Sequence, residues 1–110
     1  MRISAKLRHS APVFAALGDE TRLMLVARLS LGEPLSIKRL SEGTRLTRQA
    51  VTKHLHVLAG ARLVRGARQG REQIWELNPG QLAEARRSID LIARQWDAAL
   101  LRLKNSIEGE

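Results

Sequence analysis

Past Asn78-Pro79 the chain runs to Gly109 without a stop signal. An asparagine at the cap and a proline at the first helical position mark a helix start, because proline's missing N–H would have no intrahelical partner there anyway. Apolar residues then recur at Leu82, Ala85, Ile89, Ile92, Trp96, Ala99, Leu103 and, less regularly, Ile107. Steps of three and four define one face of a helix, here as narrow as a coiled-coil seam. Some 28 residues of helix reach roughly 42 Å at about 1.5 Å per residue. A domain of this size is only about 26 Å across. The seam therefore outruns what its own chain can cover. A second copy, most commonly a two-fold dimer, would cover it. The alternative is a helix that packs only within its own chain.

Upstream, the punctuation is regular. Gly18-Asp19 precedes a helical pattern carrying Leu23, Val26, Ala27 and Leu29, with Asp19 at the N-cap. Gly32-Glu33-Pro34 stops it. Ser36 caps a short segment from Ile37 to Glu42, with Ile37 and Leu40 facing inward, and Gly43-Thr44 makes a turn. Thr47 caps the next helix, Arg48 to about Ala59, which Gly60 and its followers end. The period then changes to alternation. LVRGARQGREQIWEL predicts two strands, Leu63 to Arg68 and Glu72 to Leu77, around Gln69-Gly70-Arg71. Gln73, Trp75 and Leu77 share one face, Ile74 and Glu76 the other. Two short helices, a tight turn and a strand hairpin make a winged helix-turn-helix. The predicted class is mainly α with a small β-hairpin, dimerising through terminal helices.

Charge points to the partner. The chain carries a net charge of +8. Residues 36 to 71 hold nine Lys and Arg against Glu42 alone, a surplus equal to the whole net charge. Such concentration is the footprint of a nucleic-acid binder, though a solvated basic face is the plainer alternative. On a wheel of about 100° per residue, Val51, Leu58 and Ala59 fall near Leu55 as the buried stripe of the second helix. Gln49, Lys53 and His56 cluster opposite, with Thr52 at their edge. Gln can pair bidentately with adenine; Thr, His and Lys can meet base edges or phosphates. Thr47 and Arg48 stand at the helix start, where N–H groups favour phosphate. Arg68 and Arg71 flank the hairpin tip, suited to the minor groove or the backbone.

FAALGDETRLMLVARL (14–29), LTRQAVTKHLHVLAGARLV (46–64) and GREQIWELNP (70–79) together resemble the ArsR/SmtB family of winged-helix transcriptional regulators, over essentially the whole chain. Trp75 stands where relatives often have tyrosine, and Glu20 where many have proline. At this length one domain over residues 1–110 is expected. Its DNA-binding core spans about 19–78, and the dimerisation helix about 79–107 acts together with an N-terminal helix. The resemblance implies a homodimer on an imperfect palindrome of double-stranded DNA, usually repressing its own operon. Pairing through terminal helices would set two recognition helices about one turn of DNA apart.

The family's metal sites do not map onto these residues. The helix before the turn reads SIKRLSE (36–42), without the thiolates of a Cys-x-Cys run. Of the dimer-helix zinc ligands, Asp90 fits one position, while Ile92, Leu103 and Ser106 occupy the others. One ligand does not make a four-coordinate shell. His54 and His56 lie about 200° apart on a helix and cannot grip one ion; helical pairs want i, i+4. His54 falls at the edge of the buried stripe, bonded within the fold or to a phosphate, and His9 reads as surface. No metal and no cofactor is expected. No nucleophile or convergent carboxylates accompany the histidines, so an enzyme is not expected either.

Without cysteine, disulfides and thiol redox sensing drop out, leaving Met1 and Met24 to oxidise. The N-terminal stretch mimics a secretory leader, but Pro12 interrupts its short apolar run, and nothing approaches the roughly 20 apolar residues of a membrane helix. A cytoplasmic protein is expected. The rival functions are a small-molecule sensor with a pocket at the dimer helices near Trp75 or Trp96, and an RNA or protein-interaction module using the same basic face. The sequence names no inducer.

Overall fold

The computed structural model describes residues 4–109. The head of the leader-like stretch, with Met1, lies outside the described residues, as does residue 110. The elements run α1 (Ala5–Leu17), α2 (Glu20–Leu29), β1 (Leu35–Ser36), α3 (Ile37–Ser41), α4 (Arg48–Gly60), β2 (Val64–Gln69), β3 (Glu72–Leu77) and α5 (Pro79–Glu108). No helix among them is long and apolar enough to cross a membrane.

The helix starts follow local chemistry. Asp19 accepts from the Arg22 N–H at 3.0 Å, Ser36 from Arg39 at 3.2 Å and Thr47 from Ala50 at 3.0 Å, each satisfying a backbone donor that its helix cannot. Ser4 does the same for Leu7 at 3.2 Å, starting α1. The end of α3 has a less local solution. It comes at Ser41, one residue short of expectation, with Glu42 already extended. The Arg28 guanidinium reaches over from α2 and donates to the carbonyls of Leu40 at 2.8 Å and Arg39 at 2.9 Å. A five-residue helix is thereby tied to α2, which fixes the first half of the helix-turn-helix.

The end of α4 departs from the glycine rule. Gly60 is the last helical residue, and Arg62 takes the left-handed conformation, with φ 63°. The Leu63 N–H donates to Leu58 O at 3.0 Å and the Arg62 N–H to Ala59 O at 3.0 Å. This is a Schellman stop two residues past the glycine, and its apolar pair is Leu58 with Leu63, both fully buried. The hydrophobic contact decides where the chain turns, and Arg62 carries the strain.

The wing is a three-stranded antiparallel sheet in the order β1-β3-β2 rather than a lone hairpin. In β1, Leu35 pairs with Trp75 and Ser36 with Ile74. Val64 pairs with Leu77 and Gln69 with Glu72, so β2 begins and ends one residue later than the alternation suggests. Gly70 has φ 64° at the first central position of the two-residue turn, as a type II′ hairpin requires. Trp75 is buried over Gly66, where a Cβ would meet the indole ring at 3.3 Å.

One core joins these parts: Leu25, Leu29, Leu40, Val51, Leu55, Leu58 and Leu63 are essentially closed to solvent. Asn78 occupies the N-cap of α5, but its side chain makes no cap bond. Its amide donates instead to Arg62 O at 2.9 Å, bracing the turn after α4.

The expected α5 seam divides in two. Ala85 is buried in the chain's own core and is corrected from interface to core; Leu82 packs against that core and stays partly exposed. The first half of α5 lies against α1, where the buried Ser10 and Ser88 hydroxyls meet at 2.7 Å. From Ile92 onward every described residue is exposed. The radius of gyration is 18.5 Å, against about 13 Å for a compact chain of this length, because that half projects alone.

Candidate nucleic-acid interface

The start of α4, the start of α3 and the first residues of β3 enclose an open groove of about 700 Å³. Its walls include Arg48, Gln49, Thr52 and Lys53 from α4 and Lys38 from α3, with Glu72 and Gln73 on the wing side. Four of the predicted contact residues thus share one concavity. Lys38, Glu72 and Gln73 join them from outside the sequence-based set. They converge only because α3 and the wing fold toward α4, which no local spacing announces.

The hydroxyls of the site are partly committed. Thr47 uses its oxygen to cap α4 and retains its proton as a donor. Thr52 donates to Arg48 O at 2.7 Å, so it offers a methyl group and an acceptor lone pair rather than a free donor. Gln49 and Lys53 are exposed, and no hydrogen bond of theirs to the rest of the fold is present among the described residues. Their polar ends can be given to a ligand.

His56 is exposed, as its place on the wheel implies, but it does not line the groove. Its ring sits edge-on to Trp75 with centroids 5.7 Å apart and planes at 86°. It bridges α4 to the wing, a placement set by the sheet and invisible to the wheel. Arg68 and Arg71 are exposed at the hairpin end and are not among the residues that line the groove. Arg65, lower on the same strand, is tied to Glu76 at 2.7 Å.

His54 turns inward. Its Nδ1 lies 3.3 Å from Arg22 Nη1 and 3.8 Å from Asp19 Oδ2. Arg22 also donates through Nε to Ala16 O at 2.6 Å. One guanidinium thereby links the end of α1, the start of α2 and the middle of α4, fixing the tilt at which α4 is presented. The Arg22 backbone N–H, and secondarily its guanidinium and His54, hold the Asp19 carboxyl below its ordinary pKa. Among the described residues no three His, Asp or Glu side chains converge as metal ligands.

What this arrangement can do is present a helix end bearing an amide, cations and a methyl to a groove about 12 Å wide, with a basic wing beside it.

The chain is similar to known proteins along most of its length. A helix-turn-helix domain model matches residues 17–67. The HTH-type transcriptional regulator Rv2034 of Mycobacterium tuberculosis is 38% identical over 95 residues, covering 86% of this chain and 85% of that protein. Among solved structures, an ArsR-like transcriptional regulator from Rhodococcus sp. RHA1 superposes with a TM-score of 0.75 at 32% identity, covering 92% of this chain and 93% of the other. The homodimeric winged helix-turn-helix DNA-binding domain of Mb0332 from Mycobacterium bovis shares the fold, with a TM-score of 0.59 at 19% identity over 94% and 86% of the two chains.

Proposed function

The chain belongs to the ArsR-like helix-turn-helix transcriptional regulators, and from that premise we propose that it is a homodimeric repressor of its own operon, bound to an imperfect palindrome. Members of this family regulate transcription through DNA and are not enzymes. The observation that carries the proposal is the groove, where Arg48, Gln49, Thr52 and Lys53 stand together with Lys38. Gln49 reads a base edge, Thr52 supplies its methyl and acceptor, and Lys38, Arg48 and Lys53 hold phosphates. Thr47 adds the proton of its hydroxyl at the helix start. Arg68 and Arg71 anchor the wing, and His56 steadies it through Trp75 while meeting the backbone.

Dimerisation is supported by the apolar stripe left open on α5. Ile89, Ile92, Trp96, Leu100, Leu103 and Ile107 are all largely exposed. At about 100° per residue they fall on one side of the helix, with Ala99 at its edge. Leu100 joins the predicted seam at this point. The Mycobacterium bovis neighbour is itself homodimeric. The regulator works in the cytoplasm without metal at the family's known positions, since Asp90 has Ile92, Leu103 and Ser106 for company where ligands would stand.

Footprinting on the DNA upstream of the gene tests this reading. Protection of a two-fold symmetric segment is expected. Binding to single-stranded RNA in preference to duplex DNA at physiological salt would overturn it.

A further inference from the structure

Glu72 is the one acid among the residues that line the groove, which it shares with Lys38, Arg48 and Lys53. Two other acids have a cation beside them: Glu42 lies 3.9 Å from Arg39, and Glu76 lies 2.7 Å from Arg65. Glu72 is exposed, and among the described residues it has no cation within 4.0 Å. An unpaired carboxylate in a basic channel opposes what the channel attracts. We propose that Glu72 is a specificity-determining residue that weakens engagement of DNA through phosphates alone. This rests on the DNA-binding reading above.

The physical reason lies in how the two kinds of complex are held. Sequence-independent binding is almost wholly electrostatic, so a phosphate entering the groove meets the Glu72 charge in every register. In the sequence-specific complex, base contacts fix the register. There a carboxylate held at a base edge can accept a hydrogen bond, as from the amino group of cytosine in the major groove. That hydrogen bond offsets the repulsion. A carboxylate at this point therefore lowers non-specific affinity more than specific affinity.

The test compares wild type with Glu72→Gln, which removes the charge and keeps an acceptor. Glu108→Gln, at the far end of α5, makes the same change in net charge away from the groove. Each is titrated at low salt against a duplex carrying a selected site and against a scrambled duplex of equal length. Glu72→Gln is expected to bind the scrambled duplex roughly three- to tenfold more tightly, with the selected duplex changed by less than about twofold. Its salt dependence on the scrambled duplex should steepen. Glu108→Gln should match wild type. If Glu72→Gln strengthens both duplexes equally, or neither, or behaves like Glu108→Gln, Glu72 does not set specificity. A wild type that binds neither duplex overturns the DNA-binding reading itself, and one that binds both equally overturns the sequence-specific reading; the inference falls with either.

Discussion

Replacing Trp96 by glutamate should split the proposed dimer without unfolding the chain. The indole is 64% exposed in the single chain, which leaves on the order of 150 Å² to be covered by a partner. At about 25 cal/mol per Å² the ceiling is roughly 4 kcal/mol per copy. Association also orders side chains and desolvates polar groups, so the realised loss is nearer about 2 kcal/mol per copy. A two-fold interface counts the residue twice, giving about 4 kcal/mol and a rise of roughly a thousandfold in the dimer dissociation constant. The fold should survive, because Trp96 makes no part of the buried core. Sedimentation velocity over a concentration series reads the constant, and far-UV circular dichroism checks the fold. A folded variant that dimerises as tightly as wild type would refute the assignment of the stripe, as would a wild type that stays monomeric at tens of micromolar.

Gln49→Ala should relax preference at a single base position at a cost of roughly 1–3 kcal/mol, read by selection from a randomised site. Arg71→Ala should weaken binding to all sequences alike and lower the salt slope by about one, read by anisotropy titrations over a salt series. Arg62→Gly should stabilise the fold by about 0.5–1 kcal/mol in urea denaturation, since glycine takes the left-handed conformation without the clash a Cβ brings. A destabilised variant would mean that the arginine side chain holds the turn. The Asp19 carboxyl is depressed below its ordinary 3.8, so the stability it adds is present above that pH and fades as pH falls through its lower value in the folded protein. The difference in melting temperature between wild type and Asp19→Asn should therefore be clear near neutrality and shrink below about pH 4, and a difference that persists unchanged at pH 2 would count against this.

Helix starts were legible because a cap is a local event. Asp19, Ser36 and Thr47 each sit three residues before the N–H they satisfy, and periodicity supplied the helices that follow. The helical wheel puts Gln49, Thr52 and Lys53 on one side of α4, and with Arg48 they line one groove. What was hidden is non-local. Two residues of β1 cannot display an alternation, and their pairing with Trp75 and Ile74 spans some forty positions. The Ser10–Ser88 bond joins residues 78 apart and gives no signal in either segment. The period shows which residues are apolar on one face, but not that the chain's own core takes in Ala85. The wing-side wall of the groove, with Glu72, is non-local in the same way: only the fold of the wing toward α4 brings it there.

The central claim is that two copies of this chain read duplex DNA as a symmetric pair. Selection of bound duplexes from a random-sequence pool by the full-length protein tests it most directly. The expected product is an imperfect palindrome whose half-site centres are separated by one helical turn, about 10–10.5 base pairs, or a multiple of it. A pool that shows no enrichment, or enriches an unsymmetric single site, would contradict it.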